Sequence, residues 1–89
     1  MTVEQAEVIQ ALADNGLRST RAAKVMYRHR NTIVFHIDNI RKQTGLDPLD
    51  FYDMQKLLPM AQRVLVEYSL HKQQQEEKTH GKTEHHSEA

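Results

Sequence analysis

The 89-residue sequence contains no cysteine, only three glycines and two prolines, and no long hydrophobic run. Without cysteine, neither a disulfide framework nor a cysteine-ligated zinc site can form. The apolar runs are far shorter than the roughly 20 residues that a membrane-spanning helix needs, and the N-terminus lacks the layout of a signal peptide. We therefore expect no membrane segment, and the lack of cysteine fits a reducing cytoplasm.

Strand-type alternation of polar and apolar residues is also missing, and the scarcity of glycine and proline favours helices. A chain this short buries a limited fraction of its surface, so its core is thin and a partner subunit can complete it. The composition predicts an all-α fold, a small bundle of four to five helices over residues 1–70. Residues 71–89 contain no large apolar side chain, which predicts a polar, disordered tail.

Capping signals mark the first two helices. Thr2 and Gln5 have the spacing of a capping box, and Gly16 stands where a helix ends in a left-handed residue. Ser19 or Thr20 is suited to cap the N-terminus of the second helix. These signals predict two short helices joined by a tight turn at Gly16.

The third helix is predicted over about 30–43, with Gly45 as its stop. Asp47 followed by Pro48 is a favoured pair at a helix start and predicts the beginning of the fourth helix there. Pro59 lies inside the fourth helix and predicts a kink or a break into two pieces.

Apolar residues recur at helical spacing and mark the faces predicted to be buried. The fourth helix has a wide stripe, which either covers the first and third helices or supplies surplus apolar area for a homodimer. We favour the homodimer. The stripes consist of Val8, Ile9, Leu12 and Ala13; Ala22, Ala23 and Met26; Ile33, Ile37, Ile40 and Thr44; and Phe51, Met54, Leu58, Ala61, Leu65 and Tyr68, widened by Leu57, Met60 and Val64.

Positive charge is concentrated in one segment, although the formal net charge of the whole chain is zero. Residues 18–42 carry seven lysines and arginines against one carboxylate, Asp38. The remainder of the chain is therefore net negative. Such an asymmetry indicates a surface that faces a polyanion.

The basic segment has the layout of a helix-turn-helix unit, over about 19–44. In this layout the second helix lies in the major groove and its first turns meet base edges. On a helical wheel the side opposite the isoleucines carries Asn31, Phe35, Asn39 and Lys42, with Thr32 beside them. Amides can pair with adenine edges, and Thr32 and Phe35 can contact a thymine methyl group.

The predicted phosphate contacts lie at the start of the second helix, at Thr20 and Arg21, and at the turn, at Arg28 and Arg30. His29 and His36 are also predicted to contact DNA, but His29, His36 and Phe35 each have a second interpretation. His29 can be a turn residue that packs on Tyr27, and His36 can be structural because it lies beside the isoleucine stripe. Phe35 can instead pack on a partner subunit.

Two stretches, "STRAAKVMYRHRNTI" and "IDNIRKQTGLDPLDFYD", resemble the C-terminal helix-turn-helix domain of PucR-type bacterial transcriptional regulators. That group includes purine-catabolism activators and sugar-diacid regulators, and the recognition region is also similar to the DNA-binding end of the nucleoid protein Fis. The resemblance covers about 9–65. It implies a DNA-binding role and places His29, Arg30, Thr32 and Phe35 nearest double-stranded DNA.

The sequence contains few features that are typical of enzymes or of cofactor-binding and metal-binding proteins. No nucleophile with a paired base and no glycine-rich phosphate loop is present, so we expect no enzyme activity and no cofactor. His80, His85 and His86 lie in the polar tail without supporting ligands, so we expect no metal site. No small-molecule effector site is evident.

A protein-interaction adaptor with the helix-turn-helix shape remains the alternative hypothesis. Relatives of the PucR type often have arginine where this chain has Val34 and His36. In the adaptor hypothesis, Val34 and Phe35 form a protein contact.

Overall fold

The structure is a computed structural model that describes the backbone of residues 1–88 and the side chains of residues 1–72. This part consists of four α-helices without strands: α1 is Val3–Asp14, α2 is Ser19–Val25, α3 is Arg30–Thr44 and α4 is Phe51–Glu88. The predicted all-α helix-turn-helix bundle is confirmed. Nearly all of the predicted polar tail, including His80, His85 and His86, lies outside the residues whose side chains are described.

Helix α1 is the centre of the bundle and packs against each of the other three helices. It begins with the predicted capping box: the backbone N–H of Thr2 donates to Gln5 Oε1 at 2.9 Å, and the N–H of Gln5 donates to Thr2 Oγ1 at 3.1 Å. Val8, Ile9 and Leu12 are fully buried. Three helices therefore share one thin core around α1.

The start of α2 differs from the sequence prediction. Its N-cap is Arg18, which makes no side-chain capping bond, and the predicted caps Ser19 and Thr20 lie inside the first turn. The reason lies in the preceding turn, where Gly16 and Leu17 both have positive φ, 67° and 62°. These two left-handed residues complete the change of direction before Arg18, so α2 begins one residue early.

The start of α4 also differs from the prediction, because Asp47 and Pro48 form a turn before the helix. The Asp47 carboxylate accepts a hydrogen bond from the N–H of Leu49 at 2.9 Å, which holds this turn closed. The capping carboxylate is that of Asp50, which accepts from the N–H of Asp53 at 2.9 Å. Helix α4 therefore begins after Asp50.

Helix α4 continues through Pro59 as one element, so the predicted break into two pieces is wrong. Within the described residues its backbone approaches that of α1, but not that of α2 or α3. Met54, Leu57 and Ala61 are buried, whereas Phe51, at the start of the predicted stripe, is 60% exposed. Helix α1 has 12 residues and is about 18 Å long, too short to cover the whole stripe.

Beyond the part that packs on α1, the apolar stripe of α4 is open to solvent, and Tyr68 is 47% exposed. The described residues include no helix with both the length and the apolar character needed to cross a lipid bilayer.

Candidate functional site

Helix α3 has one buried face and one exposed face, as the helical wheel predicts. Ile33, Ile37 and Ile40 retain 0%, 2% and 1% of their accessible surface. On the opposite side, Phe35 is 60% exposed and Asn31 is exposed as well. The buried isoleucines hold α3 against the bundle, so the opposite side is presented as a fixed surface.

The turn between α2 and α3 is tight and contains one strained residue, Tyr27, with φ 55°. The N–H of Tyr27 donates to the Lys24 carbonyl at 3.2 Å, and that of Arg28 donates to the Ala23 carbonyl at 2.9 Å. This pattern is a Schellman motif, in which the left-handed position usually holds glycine. A side chain in this conformation costs about 1–2 kcal/mol.

Tyr27 is also the most exposed of the large apolar side chains, at 95%. The alternative in which His29 packs on Tyr27 is therefore wrong, because such packing would cover the ring. A strained residue without packing partners is a reason to look for function. Sequence reasoning did not single out Tyr27 as a contact residue, since its left-handed conformation depends on the turn.

The N-terminus of α3 has no side-chain cap. His29 is the N-cap residue, with extended backbone, and makes no capping hydrogen bond. The first backbone N–H groups of α3 are therefore available to an anion, and the exposed Arg30 follows immediately. The side chain of Thr32 in the same turn is half-buried.

A carboxylate of α1 reaches the turn before α3 and the side of α3 itself. Glu4 Oε1 lies 3.2 Å from Arg28 Nη2 and 3.5 Å from His36 Nε2. The side chain of His36 is only 14% exposed, and the ring of Phe35 packs edge-on against it at 5.5 Å between centroids. Arg28 and His36 are therefore held by the protein itself, in an arrangement that no local sequence signal indicates.

A second ion-pair group lies near the end of α3. Arg41 Nη1 is 3.3 Å from Asp38 Oδ1, and Arg41 Nη2 is 3.0 Å from Asp47 Oδ1. Arg41 is therefore neutralised within the chain and links α3 to the turn before α4. The spacing of Asp38 and Arg41 is a helical i,i+3 pair, which the sequence alone could have indicated.

The structure brings the predicted site residues together on α2, the turn and α3. Thr32, in the first turn of α3, and Asn39, further along its outer side, are less accessible to solvent than the helical wheel predicts. Thr20, Arg21, Arg28, His29, Arg30, Asn31, Phe35 and Lys42 are exposed, whereas Thr32, His36 and Asn39 are half-buried. The contacts that these side chains make with DNA stay a prediction.

The described residues contain no metal-binding cluster, although α1 and α4 border an apolar groove lined by residues such as Leu17, Phe51 and Leu58. Among residues 1–72 there is no group of three histidine, aspartate or glutamate side chains that could hold a metal ion. Every buried side-chain nitrogen and oxygen in this part has a hydrogen-bond partner. The exposed side of α3, on and around which the predicted site residues lie together, is the candidate site.

Comparison with known families agrees with this geometry. The model of the PucR C-terminal helix-turn-helix domain matches residues 5–58, which include nearly all of α1, the whole of α2 and α3, and the start of α4. Comparison with curated proteins and with solved structures gives no match. The matched region covers more than half of the chain and contains the entire helix-turn-helix unit. The chain therefore belongs to the PucR C-terminal helix-turn-helix domain family.

Proposed function

We propose that this protein is a sequence-specific, DNA-binding transcriptional regulator whose helix α3 enters the major groove of double-stranded DNA. One observation carries the proposal: α3 buries its isoleucines at 0–2% exposure and presents Phe35 at 60% exposure on its opposite side. Two exposed arginines, Arg28 in the turn and Arg30 at the start of α3, flank this side. An exposed aromatic ring beside cationic groups matches the mixture of methyl groups and phosphates that lines a major groove.

The base-reading side chains lie on the outer side of α3. The Asn31 amide is exposed and suited to an adenine edge, and Phe35 is suited to a thymine methyl group. Thr32 and Asn39 contribute less to the base contacts, because their side chains are half-buried. His29 approaches the bases from the N-cap position. His36 is directed at Glu4 and acts mainly in positioning.

The backbone-binding side chains surround the start of α3. Arg30 and Arg21 bind phosphates, Thr20 adds a hydroxyl contact, and Lys42 binds a phosphate further along the groove. The uncapped N-terminus of α3 provides backbone N–H donors to the same polyanion. These contacts fix the register in which the outer side of α3 meets the bases.

The protein acts as a homodimer in this proposal. A two-fold symmetric pair places two recognition helices one turn of DNA apart, roughly 34 Å, and reads a palindromic site. Each half of such a site contributes separately to affinity. Two weak half-site contacts are therefore sufficient for a specific complex.

Selection of bound duplexes from a random DNA pool tests the proposal. We expect an enriched sequence, and a palindrome with half-sites one helical turn apart if the dimer binds as proposed. If no sequence is enriched, and bulk genomic DNA is not retarded in a low-salt mobility-shift assay, the proposal is wrong. Domains that bind DNA retain non-specific affinity on the order of 1–100 µM.

Replacement of Arg30 by alanine is expected to weaken binding to all duplexes alike. If Arg30 neutralises one phosphate, the slope of log affinity against log salt concentration falls in magnitude by about one unit. Fluorescence anisotropy across a salt series measures this slope. Lys72→Ala is the control, because it removes a positive charge from α4 far along the chain from the helix-turn-helix unit. It should leave the slope unchanged. An unchanged slope for Arg30→Ala would exclude the phosphate contact.

Replacement of Glu4 by glutamine is expected to tighten DNA binding about two- to fivefold at low salt. The substitution removes a negative charge that lies 3.2 Å from Arg28, which is itself a proposed phosphate contact. Glu7→Gln is the matched control, because Glu7 is exposed one turn further along α1 and should change affinity little. Weaker binding by Glu4→Gln would instead show that Glu4 positions Arg28 for DNA.

A protein-interaction adaptor is the second candidate function, and the ion pairs of the recognition region favour it. Glu4 partly neutralises Arg28, and Asp38 and Asp47 neutralise Arg41. This reduces the positive charge available to DNA and leaves Phe35 as an apolar contact. The low-salt mobility-shift assay with genomic DNA separates the two functions, because an adaptor leaves the DNA unretarded.

A further inference from the structure

One side of α4 is covered by no other helix within the described part of the chain, although Met1 borders it beside Met60 and Arg63. α4 packs on α1, yet three aliphatic side chains away from that contact remain about half exposed. Met60 is 45% exposed, Val66 is 57% exposed and Leu70 is 55% exposed. We call the side formed by Lys56, Met60, Arg63, Glu67 and Leu70, with Val66 at its margin, the outer seam of α4.

The outer seam has the spacing of a helix-pairing surface. Its five central residues follow one another at intervals of four, three, four and three. At about 100° per residue they lie on one side of α4, roughly 130° from the buried Met54, Leu57 and Ala61. A stripe with this 3–4 spacing is what two long helices use when they pack side by side.

The charges of the outer seam indicate which partner it fits. Arg63 and Glu67 stand next to each other at its centre, with Met60 before them and Leu70 after them. If a second copy of α4 runs antiparallel about a two-fold axis at residue 65, Arg63 faces the partner's Glu67, and the reverse contact follows by symmetry. Met60 then faces the partner's Leu70 in the flanking layers.

The antiparallel register also brings Val66 close to Val66 of the partner subunit, beside the two-fold axis. In a parallel, in-register pair, Arg63 would instead face Arg63 of the partner subunit, and like charges would repel. Antiparallel pairing is closed by its two-fold axis, so it stops at a dimer. Charge and shape therefore favour one partner, a second copy of this chain in one orientation.

We infer that the outer seam of α4 binds a second copy of this chain by antiparallel helix pairing, with two reciprocal Arg63–Glu67 ion pairs between the copies. This inference concerns an interaction surface on α4 and does not depend on DNA binding, since it is tested without DNA. It accounts for the exposed Met60, Val66 and Leu70, which the interior of one copy leaves uncovered.

Sedimentation equilibrium over a range of protein concentrations tests the inference with two charge reversals, R63E and E67R. We expect the unchanged protein to follow a monomer–dimer equilibrium. Each variant alone should dissociate at least tenfold more readily, because two like-charged pairs then face each other across the axis. Lys24→Glu, a charge reversal at an exposed position of α2, is the control and should dimerise like the unchanged protein.

An equimolar mixture of R63E and E67R provides the decisive measurement. One copy then presents two carboxylates and the other presents two guanidinium groups, so heterodimers should form with close to the original affinity. A change in the helical i,i+4 interaction of residues 63 and 67 within one copy cannot produce this recovery, because mixing leaves both residues of each copy unchanged. Circular dichroism of each variant checks that its helical content is retained.

Three outcomes would overturn the inference: an unchanged protein that is monomeric at every concentration, single variants that dimerise normally, or a mixture that stays as dissociated as its components. A monomeric protein would assign the outer seam to a different partner. Normal dimers of both single variants would place the interface elsewhere on the molecule.

Discussion

Replacement of Ile37 by alanine is expected to lower the free energy of unfolding by about 2–5 kcal/mol. Ile37 is 2% exposed and belongs to the shared hydrophobic core, in the centre of the face that holds α3 to the bundle, so its truncation leaves a cavity in that core. Small domains of this kind have only about 3–5 kcal/mol of stability from one core. The variant should therefore be largely unfolded at moderate denaturant concentrations, as measured by urea titration of the helical circular dichroism.

Phe35→Ala is the matched control for this stability measurement, because Phe35 is on the same helix and 60% exposed. The Phe35→Ala substitution should change the free energy of unfolding by no more than about 0.5 kcal/mol, as most surface substitutions do. Equal losses for the two variants would contradict the orientation of α3. A cost below about 1 kcal/mol for Ile37→Ala would show that the isoleucine face does not anchor the helix.

Phe35→Ala is expected to weaken binding to the selected DNA site about five- to tenfold, while binding to unrelated duplexes changes less than twofold. The ring is 60% exposed in the free protein, and covering it with a base methyl group contributes about 1 kcal/mol. Phosphate contacts are the same on every duplex, so removal of the ring affects only the sequence-dependent part of the affinity. Fluorescence anisotropy with both duplexes gives the two dissociation constants.

Phe51→Ala is the control for the loss of an exposed phenylalanine as such. Phe51 is also 60% exposed, but it lies at the start of α4. The Phe51→Ala substitution should leave the affinities for the selected and the unrelated duplex unchanged. Equal weakening on the selected and the unrelated duplex would show that Phe35 does not read bases. Unchanged affinity for both duplexes would favour the alternative in which Phe35 contacts a protein.

Local signals in the sequence determined much of the helical framework. The capping box of Thr2 and Gln5 forms as predicted, and Gly45 ends α3 in the left-handed conformation with φ 73°. These features depend on residues a few positions apart, so their effect is present in any fold that the chain adopts. The same holds for the isoleucine spacing that separates the two sides of α3.

Predictions failed where a tertiary contact competed with a local signal. Asp47 and Pro48 have the composition of a helix start, but the Asp47 carboxylate also binds Arg41 and the N–H of Leu49, which holds it in a turn. The first cap of α4 is therefore Asp50, one turn later. A capping preference of about 1 kcal/mol is easily outweighed by several such bonds.

The sequence by itself determined the all-α class, the buried side of α3 and the concentration of positive charge, because each follows from residue type and helical spacing. Only the tertiary structure decided which of those charges are free. Glu4, distant in sequence, reaches Arg28 and His36 when α1 packs against α3, and the exposure of Tyr27 follows from the turn that joins α2 to α3. Ion pairs between helices depend on packing angles, and packing angles are set by the whole core at once.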